Sequence, residues 1–513
     1  MLDYLILALY AISMVAIAIY THKRSGSVDD FLLAGKRGLG GWMSAFAYGT
    51  TYFSAVIFIG YAGKFGAQFG LAAVWIGISN AFIGALLAWH VLAKRTKNMT
   101  LRLGAKTMPE FFEHRFGDKR LKLLCAVVIF IFLIPYSASV YNGLSNLFEI
   151  IFGIPGWVIM ICLAALTALY LFFGGYFATA LSDFVQGIVM LVGVILMVFS
   201  FLNHPNVAWD LSELTSNPEL NWFTFESESG GIYGSTVSLL SLILLTSFGV
   251  FALPQTIHKY YAIRDKRAIR QGTIVSTAFA LIIGFGAYFV GSLSGLFPEL
   301  LTGVASDSII PVMLKAVIPS GLMGIIAVLI LSASMSTLSS VSLASASVVA
   351  IDIYKGKINP EASDKRTNTV MRALCLVFVA ISVILAILNE RFGITAIAYM
   401  MGLSWGTLAG CFIGPFVLSL FWKRVTKAAA WSSVIGTLVL TVFLIFFFGY
   451  HKNAFSCGIG KALTDGVGCS PLIGVICMVF SIAITVIVSL LTEKPTENIL
   501  YDAFDKPIEN EIK

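Results

Sequence analysis

Tyr48-Gly49-Thr50-Thr51-Tyr52-Phe53-Ser54 lies in the middle of an apolar run over residues 40–64, and its position there decides how the chain is read. A run of that length crosses a hydrocarbon core about 30 Å thick. In lipid every backbone amide needs an internal partner, so a glycine and a cluster of hydroxyls in mid-span mark backbone that faces protein or water. Ser247-Phe248-Gly249-Val250-Phe251-Ala252-Leu253-Pro254-Gln255-Thr256 repeats the feature in the run 233–261, with a proline that removes a helical hydrogen bond. Counted in apolar runs, the two segments are five helices apart. That is the spacing expected of two inverted repeats, each opening with a discontinuous helix that frames a site near the bilayer midplane, and two ordinary kinks are the alternative.

Composition supplies the membrane setting. The 513 residues are 58% hydrophobic and 12% charged, and that charged share is about half the soluble average. Nucleic-acid binding, secretion and soluble catalysis drop out as leading functions. Reading the apolar runs against breaks of charge predicts an all-α integral membrane protein of about thirteen transmembrane helices. Residues 2–20 have no basic segment before them and no small-residue cleavage site after them, so they read as a retained span. Alternate loops hold all but five of the 34 lysines and arginines, the exceptions being Lys64, Lys315, Arg391, Lys452 and Lys461. By the positive-inside rule this places the N-terminus outside and the C-terminus in the cytoplasm of a cell-membrane protein. The predicted organisation is a leading helix and cytoplasmic loop (1–39), a first repeat (40–202), an extracellular loop (203–232), a second repeat (233–422), two C-terminal spans (423–492) and a cytoplasmic tail (493–513).

Two further stretches carry chemistry. In Leu331-Ser332-Ala333-Ser334-Met335-Ser336-Thr337-Leu338-Ser339-Ser340, residues 333, 336, 337 and 340 share one helical face. Adjacent hydroxyls there can supply part of an oxygen cage for a monovalent cation, although small residues also serve close packing of membrane helices. Gly174-Gly175-Tyr176-Phe177-Ala178-Thr179-Ala180-Leu181-Ser182-Asp183 puts a carboxylate just inside the sixth helix. An intramembrane carboxylate is costly and normally has a cationic partner. No lysine or arginine precedes Asp183 in its short loop, which makes a bound cation an attractive partner, with a solvated aspartate at the interface as the alternative. His258-Lys259-Tyr260-Tyr261 runs into a basic loop and reads as topological anchoring, with the tyrosines at the membrane interface. The seven cysteines form no CxxC or Cys/His cluster, and Cys457 and Cys469 share an outer loop where a disulfide is permitted.

At these residues the chain resembles the sodium:solute symporter family, whose members carry sugars, proline, sialate, pantothenate and monocarboxylates. Asp30-Phe31-Leu32-Leu33-Ala34-Gly35-Lys36-Arg37 is similar to the segment that leads into the family's first core helix. Gly174-Gly175 through Ser182-Asp183 and Gln186 resembles its "GG…TD..Q" signature, with Ser for Thr, and Ala333-x-x-Ser336-Thr337 resembles its sodium motif. The resemblance implies a leucine-transporter-type fold of inverted five-helix repeats and a central sodium site made by the carbonyls of Thr50, Phe53 and Ala333 with the hydroxyls of Ser336 and Thr337. A second sodium site, present in some members, would use Asp183, Ser339 and Ser340 with Ser336 nearby. Two sodium ions per cycle is the expectation if both sites load.

The solute cavity is expected between the broken helices and their neighbours, lined by Thr51, Tyr52, Ser54, Ile57, Trp75, Tyr141, Phe248, Leu253, Gln255 and Tyr399. Relatives that carry sugars place polar and acidic residues where this chain has Ala55-Val56-Ile57-Phe58. Relatives that carry proline have aspartate at the position of Tyr52 and tryptophan at that of Thr246. The expected solute is a small organic molecule of amino-acid, carboxylate or vitamin type, carried by alternating access with no obligate protein partner. Proton coupling through Asp183, a channel and a solute sensor are the competing readings. An integral-membrane enzyme is excluded by the lack of a catalytic cluster at either face.

Overall fold

A computed structural model describes residues 2–21, 27–33, 39–223 and 235–508. Ala34 to Arg37, the second half of the segment resembling the family's lead-in to its first core helix, lie outside the described residues. Among those described, eleven helices are long and apolar enough to cross a membrane, against the thirteen expected. Two of the eleven, Val56–Leu103 and Gly156–Leu202, have 48 and 47 residues, about twice the length a bilayer requires. Each turns at a glycine with positive φ, Gly70 (φ 55°) and Gly175 (φ 61°). A Cβ on Gly175 would stand 2.6 Å from the Phe31 ring, so this turn requires glycine for space as well as for φ.

The expected breaks are present. Gly41–Tyr52 ends because Phe53 adopts extended backbone (φ −105°, ψ 108°), and the chain resumes helically at Val56. In its last turn Thr50 and Thr51 return their hydroxyls to the carbonyls of Phe46 (2.8 Å) and Ala47 (2.7 Å), a geometry that loosens a helix end. At the second break, Ser235–Phe248 passes through a 3₁₀ turn, Gly249–Phe251, and restarts at Pro254–Tyr261. Pro254 takes the first position of the new helix, where its missing N–H costs nothing.

Burial separates the axis of the molecule from its lipid-facing belt. Every residue from Ile326 to Ser347 is buried, so the helix Leu322–Ser347 is the central post. Leu2–Thr21 instead exposes Leu5, Leu9, Ile12 and Ile19, as a peripheral helix in lipid should. Its Asp3 carboxylate accepts from the amides of Gly321 (3.0 Å) and Gly324 (2.7 Å), capping the start of the central post. Close crossings use facing glycines: a Cβ on Gly77 would be 2.4 Å from the Gly284 carbonyl carbon, and one on Gly406 2.7 Å from the Gly474 Cα. Cys457 and Cys469 are both free thiols.

Candidate functional site

The first break lies against the middle of the central post. Ser336 Oγ donates to the Thr50 carbonyl (3.0 Å) and reaches the Ala333 carbonyl (3.1 Å). Thr337 Oγ1 lies 3.1 Å from the Ala333 carbonyl and 3.4 Å from those of Thr50 and Thr51. Phe53, whose backbone leaves the helix here, is buried with them. Four of the five atoms expected around a central sodium thus converge, with Phe53 beside them at the break. The donors are neutral oxygens in a dry setting. Such a cage suits a hard monovalent ion, since a single positive charge there needs no full counter-charge and gains from carbonyl dipoles.

One turn further along the same helix the structure corrects the sequence reading. Asp183 has a protein cation as partner. Lys259 Nζ stands 3.6 Å from Asp183 Oδ2 and donates to Ser340 Oγ at 2.8 Å. Lys259 is 1% exposed and Asp183 fully buried. The stretch read as a basic-loop anchor is therefore an interior element: Tyr260 is 0% exposed and stacks on Tyr48, and Tyr261 is buried as well. The pair was not legible because its members lie on different helices, and only folding brings the restarted helix after Pro254 against the sixth. Ser340 Oγ also meets Thr51 Oγ1 at 2.9 Å, which links this pair to the first break. Ser339 turns its hydroxyl back to the Ser336 carbonyl (2.8 Å).

The expected solute-lining residues divide. Tyr52 joins the two breaks, its hydroxyl donating to the Thr246 carbonyl at 2.7 Å, and its ring stacks on Trp405 (centroids 6.1 Å apart). Thr51, Ser54 and Ile57 are buried around it. Leu253 and Gln255 are buried at the restart of the second broken helix, and the Gln255 amide oxygen has no hydrogen-bond partner among the described residues. Phe248 packs on Phe251 beside the second break. Three residues fall elsewhere. Trp75 donates its indole N–H to the Trp222 carbonyl (3.0 Å) under the 203–223 loop. Tyr399 lies beneath the Lys64 ammonium (3.5 Å to the ring centroid) and lines a separate cavity of about 190 Å³ with Phe65, Gln68 and Lys452. Tyr141 is buried, with its hydroxyl near Thr167.

Sequence reasoning missed three residues that the fold adds. Trp405 packs edge-on against Tyr136, and neither the indole N–H nor the phenol makes a close hydrogen bond among the described residues. The Tyr136 hydroxyl faces Ser54 and Thr337. Asn80 accepts from the hydroxyls of Thr246 (2.8 Å) and Ser247 (3.1 Å), leaving its own amide hydrogens free. Buried polar groups without partners are scarce in folded proteins, and several lie around one helix break here. The available signal was mid-span asparagine in a hydrophobic run, which is costly enough to be informative.

Neutral oxygens at a broken helix inside an apolar bundle are the kind of site a membrane transporter offers a monovalent ion. The sequence model of the sodium:solute symporter family matches residues 31–437, and the chain belongs to that family. It is 30% identical over 437 residues to the osmoregulated proline transporter of Bacillus subtilis, covering 84% of this chain and 86% of that protein. It is 29% identical to the sodium/proline symporter of Haemophilus influenzae, over 97% and 96% of the two chains. Among solved structures it matches a substrate-bound, outward-open Na⁺-coupled sialic acid symporter with a TM-score of 0.75 at 20% identity, over 97% of this chain and 99% of that one. Mhp1, a nucleobase-cation-symport-1 family transporter in a closed conformation, gives 0.51 at 14% identity over 93% and 98%. At such identities the structural likeness is one of fold, the leucine-transporter-type arrangement. The protein is a multi-pass membrane symporter that couples a solute to sodium.

Proposed function

We propose that the chain imports a small amino-acid, carboxylate or vitamin-type solute together with sodium bound by Thr50, Phe53, Ala333, Ser336 and Thr337. The observation that carries this reading is the meeting of the Ser336 and Thr337 hydroxyls with the carbonyls of Thr50 and Ala333. Bound sodium would pull those oxygens together and so join the first broken helix to the central post. Solute would bind one layer away, among Tyr52, Ser54, Tyr136, Trp405 and the second break. Ion and solute each favour the same closed arrangement of the two broken helices, which is the physical meaning of coupling. One sodium entering through about 100 mV and down a tenfold gradient supplies roughly 3.7 kcal/mol, enough to concentrate a neutral solute several-hundred-fold.

The site supports a small solute, because the surrounding groups are aromatic rings, hydroxyls and amides within a closed interior. The full-length relatives are named for proline. In this chain Tyr52, one of the two positions that differ from the proline-carrying pattern, bonds the main-chain carbonyl at the other, Thr246; both differences favour a solute other than proline. Splitting the two double-length helices at Gly70 and Gly175, and joining Gly41–Tyr52 to the segment after its break, would give the thirteen spans of this reading. That count agrees with the charge bias and with an outside N-terminus.

The test is uptake into proteoliposomes holding the purified protein, using labelled amino acids, including proline, with monocarboxylates and pantothenate-like acids. Expected is uptake of one of these that requires inward sodium and is accelerated by solute on the far side. Equal uptake in potassium without a proton gradient would reject sodium coupling, and loss of counterflow would reject a carrier.

A further inference from the structure

The oxygen set expected to hold a second sodium ion is already engaged by an ammonium. Lys259 Nζ donates to Ser340 Oγ at 2.8 Å, stands 3.6 Å from Asp183 Oδ2 and lies 5.0 Å from the Tyr176 ring centroid. Neither carboxylate oxygen of Asp183 has a hydrogen-bond partner among the described residues. Its charge is balanced by Lys259. Two opposite charges buried at this depth hold one another in place, since removing either leaves the other uncompensated in a medium of low dielectric.

The geometry points to Lys259 as a tethered cation that fills the second cation position, so that the protein carries one sodium ion per solute. A free ion that loads at Asp183 and leaves on the other side adds its own gradient to the driving force. An ammonium on the chain returns with the carrier and adds none. It nevertheless keeps the mechanical part of the role: through Ser340 it reaches Thr51 Oγ1 (2.9 Å), at the first break and beside Tyr52. The restarted half of the second broken helix, which bears Lys259, is thereby fastened to the central post and to the first broken helix in a closed state. Size suits the replacement. A lysine side chain from a helix restarting at Pro254 brings its Nζ to the Asp183 and Ser340 oxygens, and a residue too short to reach would leave an anionic, oxygen-lined space of ionic dimensions.

This inference rests on the central site proposed above, and the experiment separates the two. Bound ²²Na⁺ is counted on purified full-length protein, with no solute required. The difference between proteins tests Lys259, and the absolute count tests the central site. Expected are one ion for the unaltered protein, two for Lys259→Ala and one again for Lys259→Ala/Asp183→Asn. Equal counts for the unaltered protein and a monodisperse Lys259→Ala overturn the inference, as does a count of two in the unaltered protein. A count of none rising to one would support Lys259 while rejecting the central site. If Lys259→Ala does not fold, the unaltered protein decides. In proteoliposomes at fixed potential, each tenfold change of the sodium gradient shifts steady-state accumulation of a transported solute about 10-fold for one ion and about 100-fold for two; the second result overturns the inference.

Discussion

Thr337→Val removes a hydroxyl while keeping the β-branched shape, which makes it the sharpest test of the central site. Thr337 is fully buried on a helix where every neighbour from Ile326 to Ser347 is buried too. Its Oγ1 reaches the Ala333 carbonyl at 3.1 Å and those of Thr50 and Thr51 at 3.4 Å. Without sodium the loss is therefore that of weak neutral hydrogen bonds, about 1 kcal/mol or less. With sodium bound the same oxygen is a direct ligand to a charge, and such an interaction contributes about 1.5–3 kcal/mol. The difference between the two losses, about 0.5–3 kcal/mol, should raise the sodium concentration for half-maximal uptake by about 2- to 150-fold. Thr337→Ser, which retains the oxygen, should stay within about threefold of the unaltered protein. The assay is a sodium titration of initial uptake at saturating solute, with fluorescence-detected size exclusion to compare folding. A monodisperse Thr337→Val with unaltered sodium dependence would refute the assignment, because it removes only the hydroxyl and keeps the β-branched shape.

Three further outcomes follow from the same geometry. Tyr52→Phe loses the 2.7 Å bond to the Thr246 carbonyl that ties the two breaks together; solute affinity should fall about 5- to 30-fold, with sodium binding in the absence of solute unchanged. Gly175→Ala must adopt φ 61°, ψ −162° and place its Cβ 2.6 Å from the Phe31 ring, so it should cost at least about 1–3 kcal/mol and lower the apparent Tm, which a thermal-shift series in detergent will show. For orientation, half-exposed Cys457 should react with a membrane-impermeant maleimide on intact cells, whereas a cysteine placed by Glu361→Cys should react only after permeabilisation. The reverse pattern would overturn the positive-inside assignment.

The membrane class and the discontinuous helices were legible in the sequence because lipid imposes a severe local rule. A glycine, a proline or a clustered hydroxyl in mid-span must be answered by something other than lipid, and Phe53 and Leu253 do leave helical geometry where those residues fall. The hydroxyl face of the central post was legible for a similar reason, since 333, 336 and 337 are fixed on one side by helical periodicity alone. Spans were harder to count. The sequence separates the apolar runs on either side of Gly70 and Gly175, whereas in the fold helix resumes directly after each glycine and the long segments among the described residues join into eleven.

What the sequence determined by itself was everything governed by neighbours within a few turns: the apolar spans, where they break, and which oxygens lie on one helical face. What only the tertiary structure decided was which of those faces meet. Trp75 and Tyr399 have the chemistry of lining residues, yet they pack under an outer loop and against Lys64. Trp405, Tyr136 and Asn80 come to the breaks from other helices. Lys259 is the largest change of meaning, from a positive charge at the end of a span to the counter-charge of Asp183. The physical reason is range. Helical periodicity and hydropathy act along the chain, whereas a buried charge chooses its partner through space, and that partner lies 76 residues away between Asp183 and Lys259.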